Sequence, residues 1–137
     1  MTEPIVFDTE PLVAYLDDEP GSDSVETWID RVAAGEIDGY ISPVTKTEVL
    51  HVGSRIGFRW DDLQASLSRL ETLGVTVHDT RECWEAAAEL KSAHTMALGD
   101  AYALATAEAV DGTLLIGADA DFDGVSIPIE RFREEPV

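Results

Sequence analysis

Four carboxylates stand where a folded chain could gather them. Asp8 follows the apolar run Ile5-Val6-Phe7, and Asp119 follows Thr113-Leu114-Leu115-Ile116 after Gly117-Ala118. Asp100 lies where a helix begins after Gly99, and Glu48 lies inside another helical stretch. Asp121, two residues beyond Asp119, adds a fifth candidate. In an open α/β sheet, ligands sit beyond the carboxyl ends of the strands, so acids at two strand exits become neighbours if those strands are adjacent. Carboxylates brought together in this way repel one another unless protons or a cation neutralise them. An all-oxygen cluster suits hard cations that retain water, namely Mg²⁺ or Mn²⁺. Such an ion can activate water and stabilise charge on a phosphoryl group.

The elements needed to position these acids are legible as short apolar runs alternating with amphipathic stretches. Glu10-Pro11 opens a helix through Leu12, Val13, Tyr15 and Leu16. Ser22 or Asp23 can cap the next, whose apolar face is Val25, Trp28, Ile29 and Val32. Asp38-Gly39-Tyr40-Ile41 is strand-like, and Ser42-Pro43 is a capping residue followed by a first-turn proline. That third helix carries Val44, Thr47, Val49, Leu50 and Val52, with Gly53 and Gly57 expected to bracket its end. Leu63, Leu67, Leu70 and Leu73 then define a helix closed by Gly74, followed by the strand Val75-Thr76-Val77. Thr80 is the expected cap of a helix through Cys83, Trp84, Ala87 and Leu90. Asp111-Gly112 ends the long helix behind Asp100. A last strand is expected over residues 125–129, and an exposed tail from Arg131 to Val137. Strands alternating with helices imply an α/β fold with a parallel sheet covered on both faces.

Composition bounds the rest. The 137 residues read as a single domain over positions 1–137, with 45% hydrophobic residues supporting a real core. The chain carries 28 acidic residues against 9 basic ones, a net charge of -19. Acid is spread through every segment, as on a solvated surface adapted to a salt-rich cytoplasm of haloarchaeal type, so stability is expected to rise with salt. With so much acid, carboxylate pairs also arise from composition alone, and position has to carry the argument. No apolar run approaches the ~20 residues that span a bilayer, and no leader pattern precedes Ile5, so the expected location is cytoplasmic, away from membranes. The single Cys83 excludes an internal disulfide framework and any cysteine-rich zinc site.

Competing motifs are weaker. Asp119-Ala-Asp121-Phe-Asp123-Gly124, with Glu130, formally fits a calcium-binding loop over 119–130. However, an apolar strand enters it, Pro128 interrupts it, and there is no second copy. Glu48-Val-Leu-His51 is half of a di-iron pair whose other half is missing. His78 and His94 have no ligand partners at suitable spacing.

The segments FDTEPLVAYL, ISPVTKTEVL, LGDAYALATA and LLIGADADF resemble, in order and spacing, the four motifs of PIN-domain ribonucleases, most closely VapC-type toxins of toxin–antitoxin pairs. The resemblance spans essentially the full chain. It implies a PIN-like three-layer sandwich with a central five-stranded parallel sheet flanked by helices. It also implies metal-dependent hydrolysis of RNA phosphodiesters, an antitoxin partner that blocks the groove, and a homodimer. Asp8, Glu48, Asp100 and Asp119 match the acidic quartet that holds Mg²⁺ or Mn²⁺, Asp121 matches a further acid, and Thr9 matches a hydroxyl residue near the ion. Two positions depart from the pattern: Glu10 replaces a small polar residue, and Gly117-Ala118 replaces a Thr-led pair. Lys46, Arg55 and Arg59 are the cations nearest the motifs and the candidates to hold phosphate. Two other readings remain open. One is a PIN nuclease of RNA processing or DNA flap trimming without toxin duty. The other is a non-catalytic calcium-binding or scaffold module using the acidic loop.

Overall fold

Parallel strands held in one register bring the site together. The structure, a computed structural model, describes residues 3–136. The strands are β1 (Ile5–Phe7), β2 (Gly39–Ile41), β3 (Val75–Val77), β4 (Thr113–Ile116) and β5 (Ile129–Arg131). They form one five-stranded sheet in the order β3-β2-β1-β4-β5, parallel throughout. The helices are α1 (Thr9–Leu16), α2 (Ser22–Ala33), α3 (Pro43–Arg55), α4 (Trp60–Leu73), α5 (Trp84–Ala93) and α6 (Leu98–Val110). β1 lies at the centre, its Ile5, Val6 and Phe7 opposite Thr113, Leu114 and Leu115 of β4.

Alternation along these strands divides the core into two layers. Ile5, Phe7 and Leu115 face one side, with Leu12 of α1, Val25 and Ile29 of α2, Val49 of α3, and Leu67 and Leu70 of α4. Val6, Leu114 and Ile116 face the other, with Ala87 of α5 and the alanine-rich face of α6. Small residues on α6 let its backbone approach the sheet closely. This three-layer arrangement is the one the sequence implied.

Several boundaries differ from the sequence expectation. α2 starts at Ser22 itself, with Gly21 in the left-handed region (φ 89°) at the cap position and no side-chain cap. α3 runs through Gly53 to Arg55, because Gly53 is buried where Leu63 of α4 packs and a Cβ there would collide with it. Asp79, rather than Thr80, caps a short 3-10 turn, its carboxylate accepting the Arg81 N–H, and α5 begins only at Trp84.

The largest difference is at the C-terminal end. β5 spans Ile129–Arg131 instead of 125–129. Pro128 offers only its carbonyl, which accepts the Leu114 N–H at 3.0 Å, so the ladder gains donors only after it. Phe132 then continues the pairing through its N–H to the Ile116 carbonyl at 2.9 Å, and its ring is 7% exposed within the α1–α4 core layer. The expected tail is thus structural as far as Phe132, and Arg133 is held by ion pairs. Phe132→Ala is expected to lower the free energy of unfolding by about 3 kcal/mol, as for other buried Phe truncations. Urea denaturation reads this directly, and a loss below about 0.5 kcal/mol, the surface range, would restore the tail reading.

Candidate metal centre

The adjacency of β1 and β4 places their two exits side by side. The Asp8 N–H donates to the Leu115 carbonyl at 3.1 Å, fixing Asp8 at the last rung between the strands. Asp8 occupies the cap position of α1, yet its carboxylate makes no capping hydrogen bond. It is 5% exposed and its Oδ1 has no hydrogen-bond partner. A buried carboxylate oxygen without a donor is costly unless something else satisfies it.

Asp8 lies in a cleft of about 320 Å³ that Thr9, Glu48, Asp100 and Asp119 also line. Glu48 enters from α3. The Thr9 hydroxyl donates to Glu48 Oε1 at 2.8 Å, tying α1 to α3 at the wall of the cleft. Gly99 makes this possible, since a Cβ there would overlap the Glu48 carboxylate. Asp100 stands in the first turn of α6, whose cap position is Ala97, and the helix has no side-chain cap. Asp119 opens a 3-10 turn (Ala120–Phe122), its Oδ1 accepting the Asp121 N–H at 2.8 Å. Carboxylate oxygens of Asp100, Asp119 and Asp121 all lie within 4.8 Å of one another.

This crowding has an electrostatic signature. Burial, followed by the charges of Asp119, Glu48 and Asp121, raises the Asp100 pKa to about 6, against a weaker opposing pull from the Ala97 backbone. Burial first, and then Asp100, holds the Asp8 carboxyl well above the usual carboxylate range. Groups so raised favour their neutral form until positive charge arrives. The donor set is entirely carboxylate, it includes an orphaned buried oxygen, and three of its members converge, so the residues present fit a hard divalent cation.

The candidate phosphate-holding cations lie elsewhere. Lys46 pairs with Glu71 of α4 at 3.1 Å, and Arg55 and Arg59 lie at the far end of α3 and at the cap of α4. None of the three lines the cleft. Its cationic side chain is Arg133, which belongs to the expected tail. Arg131 is the second missed residue. It donates to the Gly117 carbonyl at 2.6 Å, the Asp119 carbonyl at 3.1 Å and Asp123 at 2.9 Å, bracing the loop that carries Asp119. The signal available in the sequence was Ile129-Glu-Arg131-Phe132-Arg133, whose aromatic residue does not suit an exposed tail. Arg131 also fills the loop in which a calcium ion would sit. Glu130, the twelfth-position ligand of that motif, lines a different cavity with Ile5 and Thr113 at the opposite end of the sheet. Among the described residues, the cluster with metal-ligand spacing is Asp100, Asp119 and Asp121; Asp8 and Glu48 line the same cleft but stand outside that cluster, as do Asp123 and Glu130.

A three-layer α/β fold with an acidic cleft at the carboxyl edge of its central strands defines the class. The chain belongs to the PIN-domain family, which it matches over residues 5–128 and whose members are generally nucleases. No curated protein matches it by sequence. Its fold is similar to that in a toxin–antitoxin complex from Klebsiella pneumoniae, with TM-score 0.73 and 22% identity over 96% of this chain and 99% of that one. It is equally similar to VapBC2 from Rickettsia felis bound to a promoter DNA fragment, with TM-score 0.73 and 17% identity over 93% and 97%. It is also similar to FitAcB from Neisseria gonorrhoeae, with TM-score 0.62 and 21% identity over 91% and 95%.

The raised Asp100 pKa gives a signed stability prediction. A carboxyl whose pKa is higher in the folded state binds more protons folded than unfolded between about pH 4 and 6, so its contribution weakens as pH rises through that window. With chelator present, Asp100→Asn should therefore be more stable than wild type at pH 7, by about 1 kcal/mol after allowance for solvent screening, or roughly 3 °C in Tm. The gap should close near pH 4. Thermal melts at the two pH values test this, and a variant less stable at both would make Asp100 a structural helix residue.

Proposed function

We propose that this protein is a metal-dependent endoribonuclease, the toxin of a toxin–antitoxin pair. The observation that carries the reading is the meeting of Asp8, Glu48, Asp100 and Asp119, far apart in sequence, around one cleft that includes an orphaned buried carboxylate oxygen. Asp8, Asp100, Asp119 and Asp121 would hold Mg²⁺ or Mn²⁺. When bound, the ion supplies an activated water and neutralises charge on the phosphoryl oxygens.

The chain's own residues do the positioning. Asp8 is fixed by the β1–β4 ladder. Thr9 anchors one oxygen of Glu48, which lines the cleft and can there accept a proton from a water or steady one. Burial and neighbouring charge raise the Asp100 carboxyl to about 6, and cation binding would draw off its proton. Val13 and Val52 on the cleft wall limit water on one side. Arg55 and Arg59, beyond Glu48 along the α3–α4 connection, form no ion pair among the described residues and are the cations we assign to more distant RNA phosphates. Lys46 would have to leave Glu71 to join them.

Likeness to proteins seen in toxin–antitoxin complexes supports an antitoxin partner covering the cleft. A homodimer belongs to the same proposal, and exposed Trp84 and Leu98, flanking a groove between α5 and α6, are apolar surface available for it. Among the described residues no helix is long and apolar enough to cross a membrane. We assign the protein to a salt-rich cytoplasm on its charge of -19. The calcium-module reading loses support from the position of Glu130 and from the guanidinium of Arg131 within the loop.

Two measurements separate these readings. Asp100→Asn should lose at least ~100-fold in RNA cleavage with Mn²⁺, the scale of one major electrostatic contribution to catalysis, while remaining folded. Near-wild-type cleavage would sink the assignment. In calorimetric titrations at high KCl, Asp8→Asn should weaken Mn²⁺ binding strongly and Glu130→Gln should leave it nearly unchanged. The reverse, with Glu130→Gln abolishing tight Ca²⁺ binding, would make the local loop the real site.

A further inference from the structure

The mouth of the cleft holds a charge arrangement that the proposed centre does not use. Glu10 follows Thr9 directly, yet its carboxylate is engaged at the exit of β4. Oε2 accepts the Ala118 N–H at 3.3 Å and the Arg133 Nε–H at 3.1 Å. The Arg133 Nη1 donates to Glu19 Oε1 and to the Pro20 carbonyl, each at 3.1 Å, and the side chain is 11% exposed. The Glu10 carboxylate fills the space that a side chain at position 117 would take, since a Cβ on Gly117 would overlap it. The two departures from the family pattern, Glu10 and Gly117-Ala118, are therefore one arrangement: the glycine makes room, the following N–H receives the acid, and Arg133 neutralises it.

We propose that Arg133 is a positioning residue that clamps Glu10 against the Ala118 N–H and so keeps this carboxylate out of the cation-binding set. The proposal rests on the metal-centre reading above. Glu10 already lines the cleft, held to the side of β4; without the clamp its carboxylate would be free to swing inward toward Asp8, where it would add to the negative charge of the centre and repel an approaching phosphate. Nearly buried and held by two carboxylates and a carbonyl, Arg133 is fixed from three sides, unlike an exposed surface arginine. It also ties the end of the chain to the α1–α2 connection, so the mouth of the cleft keeps one shape.

The test is Mn²⁺ titration by calorimetry at high KCl on wild type, Glu10→Gln, Arg133→Gln and the double variant, each first checked for folding by circular dichroism. Glu10→Gln keeps the shape and the acceptor for Ala118, so its Mn²⁺ affinity should stay within about threefold of wild type, a limit set by loss of one neutralised charge. Arg133→Gln should bind Mn²⁺ more than about threefold tighter, because the released Glu10 adds its charge to the centre. The double variant should return to the wild-type range. A loss beyond threefold in Glu10→Gln would make Glu10 a ligand and overturn the proposal, as would unchanged or weaker binding in folded Arg133→Gln. If Arg133→Gln does not fold, Arg133→Lys takes its place. It retains the neutralising charge and should stay within threefold, and tighter binding would overturn the clamp. Asp100→Asn run alongside separates the two ideas: wild-type Mn²⁺ binding there defeats the metal centre itself, whereas the Glu10 and Arg133 variants judge only the clamp.

Discussion

Like charge held at short range is the constraint on which this structure turns. Asp8 cannot move away from the cleft, because its backbone is the last rung of the β1–β4 ladder and its side chain is enclosed. Asp100 and Asp119 come from separate elements, α6 and the turn after β4, that pack in one core layer and bring their carboxylates together. Folding therefore works against both burial and electrostatic repulsion at this edge; burial first, and then the neighbouring charges, raise the Asp8 and Asp100 carboxyls. A core built to be stable elsewhere, with full burial of Ile5, Phe7, Leu114 and Leu115, offsets that local penalty. Strain stored at a site and supported by the surrounding packing is what a binding centre requires.

The surroundings decide which acids take part. Glycine at position 99 admits Glu48, and the Thr9 hydroxyl then fixes it. Glycine at position 117 admits Glu10, but there a guanidinium and a backbone N–H satisfy the carboxylate instead. Two glutamates close to the same centre are thus treated in opposite ways by their partners. Asp123 is likewise neutralised by Arg131, which also braces the loop carrying Asp119. On a chain with a charge of -19, Arg131 and Arg133 each pair with an acid close to the proposed ligands.

Much of this was legible before any coordinates. The runs Ile5-Val6-Phe7 and Thr113–Ile116, each leading to an acid, announced two buried strands with candidate ligands at their exits. The leucine spacing from Leu63 to Leu70 gave α4, and Ser42-Pro43 gave the start of α3, with Ser42 accepting the Val44 N–H as a cap should. The C-terminal end is not legible as it folds, because Pro128 breaks the strand signal and the charged residues after it hide the buried Phe132. For the same reason Arg131 and Arg133 look like surface charges in the sequence, whereas Lys46 lies close in sequence to Glu48 although its amine faces Glu71. Proximity in sequence says little about which cation faces a cleft built from four distant segments. Glu10 and Gly117, 107 positions apart, read as unrelated oddities until the space left by one is seen to hold the other.

The proposed centre depends on carboxylates that would hold protons until a cation displaces them. Calorimetric titration of Mn²⁺ near pH 6, in buffers of different ionisation enthalpy, counts the protons released on binding. With Asp100 titrating at about 6 and Asp8 raised above its ordinary range, binding should release on the order of one proton, and fewer in Asp100→Asn. Tight Mn²⁺ binding with no proton release, unchanged by that substitution, would contradict it.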